Sequence, residues 1–363
     1  MAGGGAAWLD FDGVFRNSTV WLNGKMLGNH SSGYTSFRYG NVLPLLKTSP
    51  SSVNVLVVRA DATHMEGWFY EGGGIYRDVW LTVAAAVHVK PWGVQVISRV
   101  DEEAMDTAKG TAPVSVNVLT SVVNDGDTAS VVRVVGEVFD VATNKSLGKS
   151  TSDPVTLPPA PTRSSSSSFV SSSSSVSSAP SVTVNASVDI GTVELWSLEH
   201  PHMYRVDTTV VDANDANDSN GVAAEMGGVG NAVEMGGVGN AVDGVSHRFA
   251  PRVFKYDATE GLFLNGVHVK VKGMANHMDF AGVGQAVPDR VQRFKIAQMK
   301  AMGANAWRCA HNPPNPAFLD AADDMGLLVR GGEGGVHMNG WMMHGAFGRD
   351  AVGTARKGLN EIG

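Results

Sequence analysis

Between residues 8 and 211 the sequence breaks into short runs with the two-residue period or β-branched content of strands, and no helical period competes with them. That regularity fixes the architecture of most of the chain, because side chains alternate between the two faces of a strand but repeat every 3.6 residues on a helix. Residues 19–22 and 25–27 flank Asn23-Gly24, a pair that tolerates the positive φ of a type I′ turn and so predicts a hairpin. Residues 53–58 are β-branched and nearly continuous, which predicts a buried strand, while residues 75–83 alternate more openly. From about 88 to 211 the alternation continues through 114–119, 131–139, 182–184 and 204–211. Short strands at this spacing suit an immunoglobulin-like sandwich, preceded by a separate β-sandwich.

Two stretches interrupt the pattern. Residues 160–181 hold serine runs at 164–168 and 171–175, which cannot bury enough apolar surface to offset their ordering entropy. Residues 212–245 hold the nonapeptide EMGGVGNAV at 225–233, repeated letter for letter at 234–242. Two copies are too few for a solenoid, and the segment lacks the acidic density that calcium needs. Both stretches are expected to be disordered insertions. The chain has 43 glycines in 363 residues, well above the usual ~7%, and many sit in this repeat and in the last thirty or so residues.

Near residue 261 the period changes. Residues 262–264 and 267–271 flank Asn265-Gly266, a second hairpin. A helix is expected from Pro288, as an N1 proline, to Gly303 at C′, with Val291, Phe294, Ala297 and Ala301 spaced along one face. A strand over 304–309, a helix over 316–325 closed by Gly326, and a strand over 327–329 follow. Strand, helix, strand, helix, strand is the opening of a parallel α/β unit. Residues 331–363 lose all period and are expected to form an irregular tail.

Composition excludes several functions. Lys and Arg number 28 against 35 Asp and Glu, a net charge of −7, so the basic stripe of a nucleic-acid binder is missing. No apolar run approaches the ~20 residues of a membrane span, and the first residues carry no basic, apolar leader pattern. The single cysteine, Cys309, rules out an internal disulfide or a CxxC metal site. Its apolar flanks predict a buried, inert thiol. Glu71-Gly72-Gly73-Gly74 precedes a strand and reads as a turn rather than a phosphate loop, and His337 and His344 sit in unpatterned sequence.

In an α/β barrel the loops after the strands share one face, and sites are built there. The loop after the first barrel strand carries Asn276, His277 and Asp279; the second strand ends with Arg308, followed by His311 and Asn312. Imidazoles, amides and a guanidinium suit a polyhydroxylated ligand. The same residues admit a structural role, with His277 capping the neighbouring helix and Arg308 in an ion pair.

The run from 264 to 329, with HMDFAGVGQAVPD and RCAHNPP within it, resembles the opening of the catalytic barrel of glycoside hydrolase family 2, and is more similar to β-galactosidases than to β-glucuronidases. FDGVFRNSTVWLNGKMLGNHSSGYTSFRYG and WFYEGGGIYRDVWL resemble the family's sugar-binding jelly roll, and ELWSLEHPHMYRV the last strands of its immunoglobulin-like domain. The resemblance implies a mainly β, multidomain chain: a partial jelly-roll β-sandwich over 1–88, an immunoglobulin-like β-sandwich over 89–250, and the first strands and helices of an incomplete TIM barrel over 251–330. It implies hydrolysis of terminal β-galactosides with retention, with a carbohydrate as the partner. His277, Arg308, His311 and Asn312 match positions lining the sugar subsite, and Trp68 and Glu66 lie in a jelly-roll stretch that reaches it. The family's acidic pair after the third strand is replaced by Arg330-Gly331-Gly332, and Glu361 after Asn360 is the only candidate acid/base. No cofactor is expected; the resemblance allows a divalent cation, but its acidic ligand position has no match here. The stretch from Gly261 onward is far shorter than the ~250 residues of a complete barrel. The expectation is a hydrolase by lineage whose chain is inactive, against two alternatives: a non-catalytic carbohydrate-binding or vestigial protein, or a β-sandwich protein-interaction module.

Overall fold

The alternating segments do form strands, and their pairing sorts them into two β units followed by an α/β unit. The structure is a computed structural model and describes residues 5–63, 72–161, 180–214, 241–310 and 312–330. The first unit contains β1 (Gly5–Phe11), β2 (Val14–Phe15), β3 (Ser18–Leu22), β4 (Lys25–His30), β5 (Phe37–Tyr39), β6 (Leu56–Arg59), β7 (Gly74–Ile75) and β8 (Val79–Ala85). Sheets β5-β1-β8 and β4-β3-β6 enclose a core of Leu9, Phe11, Val20, Leu22 and Phe37. The Asn23-Gly24 turn has φ of 51° and 80°, the type I′ geometry expected from these two residues.

The second unit contains β9 (Val87–Val100), β10 (Thr111–Asn124), β11 (Ser130–Asp140), β12 (Ser146–Thr151), β13 (Val155–Leu157), β14 (Val182–Glu194), β15 (Tyr204–Asp212) and β16 (Ala241–Phe249). Sheet β14-β10-β9 faces sheet β12-β11-β15-β16. The inward members of each alternation, among them Val116, Val118, Val134, Val138 and Val206, are fully buried between them. The third part opens with the hairpin sheet β17 (Phe254–Asp257), β18 (Gly261–Leu264) and β19 (Val267–Val269), then β20 (Gly273–His277), α1 (Asp289–Ala301), β21 (Ala306–Ala310), α2 (Pro316–Met325) and β22 (Leu328–Arg330). Strands β20, β21 and β22 are parallel neighbours in that order. The chain is mainly β, with two α-helices among the described residues, and its last part has the parallel strand–helix order expected of an opening barrel.

Several expectations need correction. Residues 53–58 are not a buried strand: β6 starts only at Leu56, and Val53 is 71% exposed. It is an edge strand, and Asn54 is spent bracing the loop at Lys47, accepting from its N–H at 2.8 Å and donating to its carbonyl at 3.0 Å. The change from first to second unit falls before residue 88, because β9 begins at Val87 and Val87–Val89 pair with Val122–Asn124 of β10. Most of the two expected insertions lies outside the described residues, but residues 241–245, expected within the second, are not a loop. Residues from Ala241 belong to β16, where Val245 pairs with Thr208 and packs on the core. Pro288 is the N-cap of α1 rather than its first residue, with φ −61° and ψ 149°. The buried stripe of α1 is Gln292, Ile296 and Met299, leaving Phe294 51% exposed. Helix α2 does span 316–325, and Gly326 closes it at φ 68°.

The second unit seats the barrel strands from below. Trp196, Leu198 and Met203 pack with Ala250, Leu262 and Leu264 against Ala306 and Leu328, at the N-terminal ends of β21 and β22. Lys300 of α1 donates to the carbonyls of Leu198 at 2.8 Å and Gly326 at 3.0 Å, and also to that of Met325. The floor of the α/β unit is therefore built from the second β unit and the β17–β19 hairpin. The C-terminal rim is left for other contacts.

Candidate functional site

Strand β21 sets the geometry of that rim. Trp307 and Cys309 are buried with Ile296, Phe318 and Leu319 of the two helices, so Arg308 between them points to the opposite face, the barrel interior. Burial pushes the Cys309 thiol up to about 12, in keeping with the inert role expected for it. The parallel register aligns Ala275, Arg308 and Arg330 across the three strands, and His277 with Ala310 one step higher. Asn276 faces the helix side, where its amide meets the Met299 sulfur at 3.8 Å, so His277 alternates to the interior with Arg308. Asn276 and His277 thus belong to β20 itself, and Arg308 to the middle of β21, rather than to the loop and the strand end expected.

The end of β20 is fixed from behind. Lys295 of α1 donates to the carbonyls of His277 at 3.0 Å and Asp279 at 3.1 Å, and its ammonium sits 5.3 Å from the Trp307 ring centre. Burial lowers the Lys295 pKa, against the opposing charge of Asp279. Asn312 is half-buried and precedes Pro313-Pro314. Asn315 then caps α2, its side chain accepting from the Ala317 N–H at 3.0 Å, with Pro316 at the first helical position, where its missing donor costs nothing.

The first β unit reaches both rim loops. Gln285, in the loop after β20, donates to the Tyr34 hydroxyl at 3.4 Å. Arg77 donates to the Pro313 carbonyl, in the loop after β21, at 3.0 Å. The structure thus sets His277 and Arg308 on the interior face of adjacent strands, with Asn312 two residues past the end of β21. Trp68, Glu66, His311 and Glu361 lie outside the described residues, as do His337, His344 and the expected tail. Two residues escaped the sequence reading: Arg330, which the register sets beside Arg308, and Arg77. For Arg330 a signal existed, since Leu328 packs inward against the floor and two residues on is the same face. For Arg77 there was none.

A cavity of about 440 Å³ lies on the helix side of β20, lined by Asn276, Phe280, Phe294, Lys295, Met302 and Trp307. It does not include His277 or Arg308, and it lies along the edge of β20 away from β21. Among the described residues no three His, Cys, Asp or Glu side chains gather as metal ligands. No helix among them is long and apolar enough to cross a membrane.

With donors and acceptors on three parallel strands and in the two loops between them, the rim is suited to orient a ligand rich in hydroxyls. Comparison with known proteins finds two family descriptions that match along the chain. Residues 88–222 match the description "Glycosyl hydrolases family 2", and residues 258–354 match "Glycosyl hydrolases family 2, TIM barrel domain". The β-galactosidase BoGH2A of Bacteroides ovatus is 31% identical over 323 residues, covering 88% of this chain and 31% of its own length. A β-galactosidase of Thermoanaerobacter pseudethanolicus is 24% identical over 340 residues, covering 90% of this chain and 37% of its own. The crystal structure of a Bacteroides uniformis β-glucuronidase superposes with a TM-score of 0.68 at 25% identity, over 90% of this chain and 34% of that one. The chain spans about a third of the length of the curated relatives it matches. The second β unit and the barrel opening, matched in the same order by descriptions of one family over residues 88–222 and 258–354, place this chain in glycoside hydrolase family 2.

Proposed function

We propose that this chain carries the sugar-positioning part of a retaining β-glycoside hydrolase site of β-galactosidase type, and that the 363-residue chain binds the sugar without hydrolysing it. The observation that carries the reading is the register that points Arg308, in the middle of β21, and His277, at the C-terminal end of the adjacent parallel β20, into the barrel interior. Barrel enzymes act at that face. His277 and Asn312 hydrogen-bond hydroxyls, and Arg308 donates from a fixed planar fork. Retention needs two carboxyl groups about 5–5.5 Å apart; the residue after β22 is Gly331 rather than an acid, and Asp279 is the carboxylate that follows β20.

Titration calorimetry of the purified chain with galactose and with a galactose-configured iminosugar tests the reading. Millimolar or tighter binding is expected, weakened about tenfold or more in Arg308→Met, as for loss of a charge-assisted hydrogen bond. No nitrophenol is expected from nitrophenyl β-galactoside. Absence of any glycan binding would sink the proposal, and turnover would sink its second half.

A β-glucuronide is the second reading. Arg308 and Arg330 are side by side on β21 and β22, a positive pair suited to the carboxylate of a uronic acid. Glucuronate binding at least tenfold tighter than galactose, lost in Arg330→Gln, would favour it over the galactoside.

A further inference from the structure

Arg77 is a guanidinium of the first β unit with three backbone acceptors from three separate segments. Its Nη1 donates to the carbonyls of Tyr34 at 3.2 Å and Asp12 at 3.4 Å, and its Nη2 to that of Pro313 at 3.0 Å. The first two acceptors belong to loops of its own unit; the third lies 236 positions away, in the loop after β21, next to Asn312. The Tyr34 loop is itself well braced. Tyr76 donates from its hydroxyl to the Gly33 carbonyl at 2.8 Å, and the Ser32 hydroxyl accepts from the N–H groups of Tyr34 and Thr35. The far end of the loop is closed by His30 and Thr35, whose side chains meet at 2.9 Å. A second bond between the same units, from Gln285 to the Tyr34 hydroxyl, ties the loop after β20 to the same anchor.

We infer that Arg77 is a positioning residue for the rim: it holds the loop carrying Asn312 against a rigid loop of the first β unit, and through that loop sets the sugar-facing side of β21. The inference rests on the sugar site argued above. Its physical basis is that a planar guanidinium presents several donors in fixed directions, so three carbonyls held at once define the position of each relative to the others. Pro313 and Pro314 cannot donate hydrogen bonds of their own. The loop between β21 and α2 is thus short of backbone donors, and the bond from Arg77 to its Pro313 carbonyl holds it through an acceptor instead. Lysine would replace the fork by a single point donor with a shorter reach.

The test uses the full chain labelled with ¹⁵N-asparagine, comparing wild type with Arg77→Met and Arg77→Lys. Amide exchange of Asn312 and Asn315, which flank the two prolines, is read by NMR, beside galactose affinity and the unfolding midpoint. Loss of a hydrogen bond from a charged donor is expected to speed exchange at these two amides by about tenfold or more. Amides of β10 and β14 should be unchanged. Galactose affinity is expected to fall by a similar factor in the methionine variant and less in the lysine variant. Unchanged exchange at Asn312 and Asn315 overturns the inference. Should Arg77→Met fail to fold, Gln285→Ala serves as the independent break, and unchanged exchange at Asn312 and Asn315 in the Arg77→Lys variant overturns the inference on its own. Faster exchange in a chain whose wild type binds no sugar would leave the strap standing and remove the sugar reading instead.

Discussion

Arg252 and Asp323 join the second β unit to helix α2, and their pairing is poor enough to make an unusual outcome expected. The Arg252 side chain is 4% exposed, stacked 4.2 Å above the Trp196 ring, and its Nη2 lies 3.7 Å from the Asp323 carboxylate. That separation is too long for a good hydrogen bond, and Nε and Nη1 of Arg252 are buried without a partner. Burial pushes the Asp323 pKa up to about 6 although a guanidinium stands beside it; the neighbouring Asp320 and Asp324 add to the rise. Burial likewise lowers Arg252 to about 10. Desolvation therefore outweighs the attraction. A carboxyl group whose pKa is raised on folding binds protons more tightly in the folded state, so its contribution to stability falls as pH rises from about 4 to about 6 and stays low above that window. A shift of roughly two units at about 1.36 kcal/mol each sets an upper limit near 3 kcal/mol. Asp323→Asn, a neutral isostere, removes this penalty at pH 7 and is expected to raise the unfolding free energy by about 1 to 3 kcal/mol. The gain should shrink towards zero at pH 4, where the wild-type group is protonated. Urea unfolding followed by tryptophan fluorescence at both pH values reads the difference. A loss of 3–5 kcal/mol at pH 7, as for breaking a well-made buried pair, would refute the reasoning.

Two further outcomes follow from the α/β unit. Gly326 and Gly303 both close helices in the left-handed region, at φ 68° and 83°, but a Cβ on Gly326 would lie 2.3 Å from the Leu198 carbonyl oxygen, whereas one on Gly303 meets nothing within 4 Å. Gly303→Ala should cost about 1 kcal/mol for the backbone alone, and Gly326→Ala clearly more; equal midpoints in urea would contradict the packing of the second unit beneath α2. The Cys309 thiol, pushed up to about 12 by burial, should not react with a disulfide reagent at pH 8 until urea unfolds the chain; rapid labelling of the native protein would show that β21 is open.

The parts of this fold that were legible in the sequence are those decided within a few residues, and the illegible parts are decided by what an element packs against. The turns at Asn23-Gly24 and Asn265-Gly266 and the span of α2 depend on local backbone preference, and each stands where the residues put it. The face of α1 does not depend on local preference. Phe294 and Ile296 are equally good apolar residues; Ile296 is buried because β21 and α2 lie on its side, while Phe294 faces the edge of β20 away from β21, where it meets Phe280 edge-on at 6.5 Å. Residues 53–58 fail as a buried strand for the same reason, since alternation cannot say whether a strand is central or at an edge. His277 and Asn312 could be placed near one another because strand ends in a parallel α/β unit share a rim, whatever the partner; Arg308 lies mid-strand, and its face follows from alternation with the buried Trp307 and Cys309. Arg77 could not be named, because its third acceptor is a backbone carbonyl, which leaves no trace in residue type at Pro313. A side chain that recognises backbone is visible only at its own position, so the contact joining the first β unit to the rim is the kind of information that a single sequence withholds and a structure supplies.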